Sequence, residues 1–174
     1  RLGYAYDAAG RLVSLSNENG EHTRFAYDLL DRLTDEIGFD GRHQRYGYNA
    51  AGELTHLIER GGSAFGPGKV THFERDLLGR LTAKRHQGAD SAVDTHHASI
   101  SASANAEYRY DRLGRLTQAS NAAAQVQFAY DPLGQLVGET QRIAFGAPEA
   151  QPRSHVWRHR YDALGNRTQT TLPA

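Results

Sequence analysis

Cysteine and methionine are both absent from the 174 residues. Without cysteine there is no disulfide framework, no Cys-ligated zinc or iron–sulfur centre and no thiol nucleophile. Without methionine, and with Arg1 in first place, the expectation is an internal segment of a longer chain. Lysine is nearly missing too: Lys69 and Lys84 are the only two among 20 basic residues, which 20 acidic residues balance. Zero net charge argues against a nucleic-acid-binding domain, whose footprint is normally basic. No apolar run reaches the roughly 18 residues of a membrane helix, and mean hydropathy is -0.66. No basic start followed by an apolar stretch marks a signal peptide. Proline is scarce at 5 while glycine is plentiful at 18, the balance of a chain with many tight turns.

What is present is repetition, the signature to seek before any other. One phrase recurs seven times: aromatic, any, Tyr, Asp, two free positions, Gly, Arg, Leu. The first copy holds Tyr6, Asp7, Gly10, Arg11 and Leu12, and the second Tyr27, Asp28, Arg32 and Leu33. The third holds Tyr48, Asn49, Gly52 and Leu54, and the fourth Asp76, Gly79, Arg80 and Leu81. Tyr110, Asp111, Gly114, Arg115 and Leu116 make the fifth. Tyr130, Asp131, Gly134 and Leu136 make the sixth, and Tyr161, Asp162 and Gly165 the seventh. The steps between the Asp or Asn positions are 21, 21, 27, 35, 20 and 31. These steps give a unit near 21 residues, lengthened by insertions at three places.

Each copy reads as a β-hairpin. Aromatic–x–Tyr places two rings on one strand face. Asp-x-x-Gly is turn chemistry, with the carboxylate accepting a backbone N–H two residues on and Gly supplying positive φ. A three-residue loop built of a type I turn plus a left-handed residue gives a hairpin with a G1 bulge. The first loop is then Ala8-Ala9-Gly10, with Asp7 opposite Arg11 and Tyr6 opposite Leu12. One face carries Tyr4, Tyr6 and Leu12, and the other an Asp7–Arg11 ion pair. Each aromatic–aliphatic pair contributes roughly 0.2–1 kcal/mol. A second set of turns, such as Asn17 to Gly20 and Asp40-Gly41, joins one hairpin to the next. The fold class is therefore all-β: tandem antiparallel hairpins in one curved, single-layer sheet of about 14 strands. Recurrence gives these residues a structural role, since a catalytic group is not needed seven times.

Departures from the phrase carry predictions. Asp31 stands where Gly is expected, and Asp tolerates the left-handed region better than most residues, so strain without a break is expected. Arg75 replaces Tyr in the fourth copy. His159 and Arg167 replace the aromatic and the Leu in the seventh, as in a worn edge unit. Three insertions are expected: residues 60–70, Gly-rich with no Gly-Lys-Ser/Thr; 86–106, Ala/Ser-rich; and 141–158, with Phe145, Pro148, Pro152 and Trp157. Histidines alone invite a chemical reading. His96 and His97 are adjacent, so on a strand they face opposite ways. His155 and His159, four apart on a strand, are separated by about 13 Å. No catalytic residue, metal site or cofactor site is expected, and the chain reads as a non-enzyme.

The Tyr-Asp-x-x-Gly-Arg-Leu phrase, running from Tyr4 to Arg167, resembles the YD repeat of Rhs proteins. That family includes bacterial Rhs polymorphic toxins, the C component of insecticidal ABC toxin complexes, wall-associated proteins and teneurins. The resemblance implies a spiralling β-sheet closed into a hollow shell that encloses a C-terminal toxin domain released by self-cleavage. It also implies partners: the remaining shell repeats and the enclosed toxin of the same parent chain, and proteins of a secretion apparatus, the Arg- and Ala-rich composition resembling type VI secretion effectors used in interbacterial competition. No nucleic acid and no membrane is implied as a partner. The implied localisation is secretion or delivery into target cells. The family's self-cleavage signature ends Asp-Pro-x-Gly-Leu. Here Asp131-Pro132-Leu133-Gly134 runs on into Gln135, so it reads as an ordinary repeat and the segment as shell interior.

About 14 strands spaced about 4.8 Å apart would close into a barrel roughly 25–28 Å across. A folded cargo of about 100 residues needs about 34 Å. One such segment is expected to form part of a larger wall, and in isolation its open strand edges are expected to self-associate. The alternative function is a surface adhesion or glycan-binding module, in which the Tyr rows stack on sugars.

Overall fold

The computed structural model describes residues 2–61, 68–88, 105–143 and 153–173. All regular structure among them is β. The first half holds β1 (Gly3–Tyr6), β2 (Leu12–Ser16), β3 (His22–Tyr27), β4 (Leu33–Ile37), β5 (His43–Tyr48), β6 (Leu54–Arg60) and β7 (Lys69–Arg75). Then come β8 (Leu81–Gly88), β9 (Ala106–Tyr110), β10 (Leu116–Ser120) and β11 (Ala124–Tyr130). The last three are β12 (Leu136–Ile143), β13 (Arg153–Tyr161) and β14 (Arg167–Thr171). Strand order follows chain order from β1 to β14 in one antiparallel sheet. The chain divides into two compact units. One carries β1 to β7 with the end of β8; the other begins with Arg80–Lys84 and carries β9 to β14.

Register is set by the turn. Tyr6 pairs with Leu12, Tyr27 with Leu33, Tyr48 with Leu54, Tyr110 with Leu116 and Tyr130 with Leu136. Immediately behind each pair the register slips by one residue. This is the bulge that a three-residue loop ending in a left-handed residue produces. The residue in the bulge is Thr34, Thr55, Thr117 and Thr168 in four copies. Its hydroxyl donates to the carbonyl across the ladder at 3.1–3.2 Å. A position that loses its ladder partner is thereby satisfied by a side chain.

A single-layer sheet has little interior. Among the described residues Ala83, Thr23, Thr71 and His159 are buried, and most strand residues are half-buried on both faces. In the unit of β1 to β7 the two faces differ in character. Tyr27, Tyr46 and Tyr48 lie on one face with Leu33, Leu54 and Leu57, which are their register partners in the ladder or lie one hairpin away. Arg24, Asp35, His43, Arg45, His56 and Arg60 alternate with them onto the other face.

The strands extend into all three of the expected insertions. β6 and β7 take up residues 60 and 69–70, β8 and β9 take up 86–88 and 106, and β12 and β13 take up 141–143 and 153–158. Residues 62–67, 89–104 and 144–152 lie outside the described residues, and with them His96, His97, Phe145, Pro148 and Pro152.

Candidate functional site: the interlocked turn row

The repeated feature with the most chemistry is the turn that closes each hairpin. Asp7 Oδ1 accepts the amides of Ala9 and Arg11, both at 2.9 Å. Its Oδ2 accepts the Arg11 guanidinium through Nε and a terminal nitrogen, both at 2.7 Å. Asp28 holds Leu30 and Arg32 in the same way, and Asp111 holds Leu113 and Arg115. The Arg11 amide, then its guanidinium, hold the Asp7 carboxyl below the usual carboxylate range, and Arg115 does the same for Asp111. At Asp28 burial pushes upward, and the Arg32 amide and guanidinium outweigh it. The amide of the left-handed residue closes each turn onto the Asp or Asn carbonyl, as Gly10 does on Asp7 at 3.0 Å. Gly10, Gly52, Gly79, Gly114, Gly134 and Gly165 all have φ between 78° and 86°.

Asp31 adopts φ 62°, the one positive φ at a non-glycine among the described residues. Its carboxylate accepts Arg11 of the preceding hairpin at 2.6 Å. The turn keeps its form without glycine, and the residue gains a partner that glycine lacks.

Two turns exchange the charges. Asn49 replaces Asp and Glu53 replaces Arg, and the Asn49 amide donates to Glu53 at 2.7 Å. Asn17 and Glu21 repeat this at the opposite end of the sheet. Asp162 accepts Asn166 instead of Arg at 3.0 Å. At Asp131 the Gln135 amide takes the Arg amide's place at 2.8 Å. The donor–acceptor pair is kept while its charge varies.

Consecutive hairpins are linked by side chains that the repeat phrase alone does not reveal. Each Tyr hydroxyl donates to the carbonyl of the Leu in the preceding hairpin. Tyr27 reaches Leu12 at 2.9 Å, Tyr48 reaches Leu33 at 2.8 Å and Tyr110 reaches Leu81 at 2.9 Å. Tyr130 reaches Leu116 at 2.8 Å and Tyr161 reaches Leu136 at 2.9 Å. In return the Arg of one hairpin crosses to the next. Arg11 lies over the Tyr27 ring at 5.1 Å and donates to the Asp28 carbonyl at 3.3 Å. Arg32 with Tyr48 and Asn49, Arg80 with Tyr110 and Asp111, and Arg115 with Tyr130 and Asp131 repeat the arrangement. A guanidinium over an aromatic face contributes about 0.5–1 kcal/mol at partly exposed sites. The Arg therefore serves its own turn through Nε and its neighbour through the other end.

The fourth hairpin departs at this same joint. Arg75 stands in the Tyr position and Glu53 precedes it in the Arg position. Arg75 donates to the Gly79 carbonyl at 3.2 Å, while its Nε is buried without a hydrogen-bond partner among the described residues. Asp76 accepts the Leu78 amide at 2.9 Å, as the other turn carboxylates do.

The turn tips are apolar and exposed. Leu29 and Leu77 are fully exposed, and Leu30, Leu78, Leu113, Leu133 and Leu164 nearly so. Opposite-end turns carry Asn17, Glu18 and Asn19, or Asp40 with its partner Arg42.

No group of three or more His, Asp or Glu is placed to hold a metal ion among the described residues. On β13, His155 and Trp157 meet at 6.2 Å between ring centroids, and His159 is buried against Thr170 at 3.1 Å. A cross-strand pair, His56 opposite His72 with ring centroids 6.3 Å apart, needed the register to be seen. Tyr46, pushed up to about 12 first by burial and then by Glu36, donates to Glu36 at 3.2 Å.

These hairpins define a class: a tandem-repeat β-protein in which one turn motif both closes a hairpin and fastens the next. The RHS repeat model matches two stretches of the chain, residues 6–43 and 110–142. The fold matches a TcdB2-TccC3 structure lacking its hypervariable C-terminal region, at a TM-score of 0.69 and 21% identity. It also matches the Photorhabdus luminescens Tc holotoxin pore with a TccC3 substitution, at 0.68 and 20%. In both cases 99% of this chain is covered and 9% of the other. The chain thus spans about a tenth of the length of the chains it matches.

Proposed function

We propose that this chain is a wall segment of a secreted bacterial toxin shell, enclosing a toxin domain that lies C-terminal in the same parent protein. The observation that carries the reading is the Tyr–Leu and Arg–Tyr interlock from one hairpin to the next. It extends a sheet hairpin by hairpin through a recurring joint, with the Tyr–Leu bond at five of the six junctions, as a wall requires. The RHS match and the likeness to Tc toxin chains over nearly the whole segment support it. The role is confinement: the wall separates an active domain from the cell that makes it until delivery. Its partners are the other repeats of the shell and the enclosed domain, with a secretion apparatus of the type VI kind delivering the assembly against competing bacteria. The segment itself performs no catalysis, and the repeat positions named from the sequence serve the wall.

Limited proteolysis of the parent protein tests this. With the repeats intact, the downstream domain is expected to resist protease at concentrations that cut a free copy of it. Removing one hairpin's worth of the wall is expected to open it to cleavage and to raise toxicity toward the producing cell. A downstream domain cut as fast in the intact parent as when free rejects enclosure.

A further inference from the structure

Charge is divided between the two faces of the β1–β7 unit. Arg24, Ile37, His43 and Arg60 form one row across β3, β4, β5 and β6, each in register with the next. Asp35, Arg45 and Ile58 form the adjoining row on the same face. His56 and His72 come next on that face, one pair further along β6 and β7. His43, Arg45, Ile58 and Arg60 line a shallow pocket. Against three guanidinium groups in these rows stands one carboxylate, Asp35, which is already shared by His43 at 2.8 Å and Arg45 at 3.1 Å. The next acid along, Glu74, is paired with Arg85 at 3.5 Å. Arg24 and Arg60 are exposed, and their side chains make no hydrogen bond or ion pair among the described residues. The opposite face carries the Tyr and Leu rows with Glu36 and Glu59. In a chain of zero net charge, this separation is a property of the sheet's alternation and not of composition.

We propose that the basic face of this unit docks an acidic polypeptide segment, with one of its carboxylates seated in the pocket between Arg45 and Arg60 over Ile58. Charge complementarity carries the assignment. A guanidinium presents a planar fork that suits a carboxylate, and two guanidiniums flanking an apolar floor accept a carboxylate on its short aliphatic stem. Arg24 on one side and the imidazoles of His56 and His72 on the other extend the contact across strands about 4.8 Å apart, so a run of several Asp or Glu is engaged rather than one. The inference is independent of the shell reading, because it concerns one face of one unit.

Fluorescence anisotropy with the 174-residue chain and a labelled Glu/Asp-rich peptide of about 12 residues tests it. Saturable binding that weakens steeply with salt is expected. Arg60→Ala should weaken it about tenfold, and Arg24→Ala with Arg60→Ala further. Neither arginine has a partner to lose, so urea midpoints should match the parent. Lys69→Ala, from the opposite face, should leave binding unchanged. Overturning results are absence of saturable binding, Arg60→Ala binding as tightly as the parent, or single-stranded DNA of equal charge binding as tightly as the peptide. The last would mark a face that reads charge alone.

Discussion

Asp7 spends both carboxylate oxygens on its own turn, and that fixes how the turn responds to acid. A group whose folded-state pKa is depressed stabilises the fold above its unfolded pKa and loses that contribution as pH falls through the lower folded value. Asp7, Asp28 and Asp111 are all depressed, as are Asp40 and Asp162. The urea midpoint is therefore expected to be flat from about pH 7 to about pH 5 and to fall below about pH 4, the unfolded carboxylate range. Asp7→Asn should remove part of that acid dependence; an unchanged profile in this variant would contradict the assignment. Asp31 is the other informative residue. Asp31→Ala keeps φ 62° without a side chain suited to it and should cost about 1 kcal/mol. Asp31→Gly trades the Arg11 contact for relief of strain and should stay within about 0.5 kcal/mol of the parent. Chemical denaturation of the two variants side by side separates strain from pairing.

At the scale of the hairpin, the joint is tested separately from the turn. Tyr130→Phe deletes a half-buried hydroxyl donor to the Leu116 carbonyl and should cost about 1 kcal/mol. Arg75→Tyr should do the reverse, by about 1 kcal/mol, since it removes a buried unpaired Nε and supplies a hydroxyl in the place where other hairpins reach a Leu carbonyl. Denaturant midpoints of both variants check the pair. The hairpin itself was legible in the sequence. Loop length dictates Tyr6 opposite Leu12, and Asp31 in the left-handed position is where the phrase puts it. The joint was not legible. The reach of Tyr27 to Leu12 depends on the stagger between hairpins, which is set by the opposite-end turns and not by the repeat phrase. The Asn49–Glu53 exchange was visible as letters, but its meaning depends on the Asn amide turning donor toward Glu. The basic face was hidden for the same reason: it becomes visible once Arg24, His43 and Arg60 are known to be in register.

At the scale of the molecule, a sheet whose neighbours in space are its neighbours in sequence behaves as a one-dimensional stack. Deleting residues 12–32, one 21-residue unit, joins Arg11 to Leu33 and keeps every face assignment. The shortened chain is expected to fold, with native-like near-ultraviolet circular dichroism and a modestly lower melting temperature. Deleting one residue more, 12–33, inverts the faces of the strand beyond the junction and should abolish cooperative melting. Equal behaviour of the two deletions would show that register is not what holds the sheet.

The same topology has a mechanical meaning. Because each strand bonds to the one just before it, tension applied through the chain loads a single hairpin's bonds at a time, as in a zipper, rather than all of them in shear. Stretched from its ends in an optical trap, the β1–β4 region should lengthen in low-force increments of about 70 Å per 21-residue unit. A sheet joined in this order would come apart readily when drawn out by its thread.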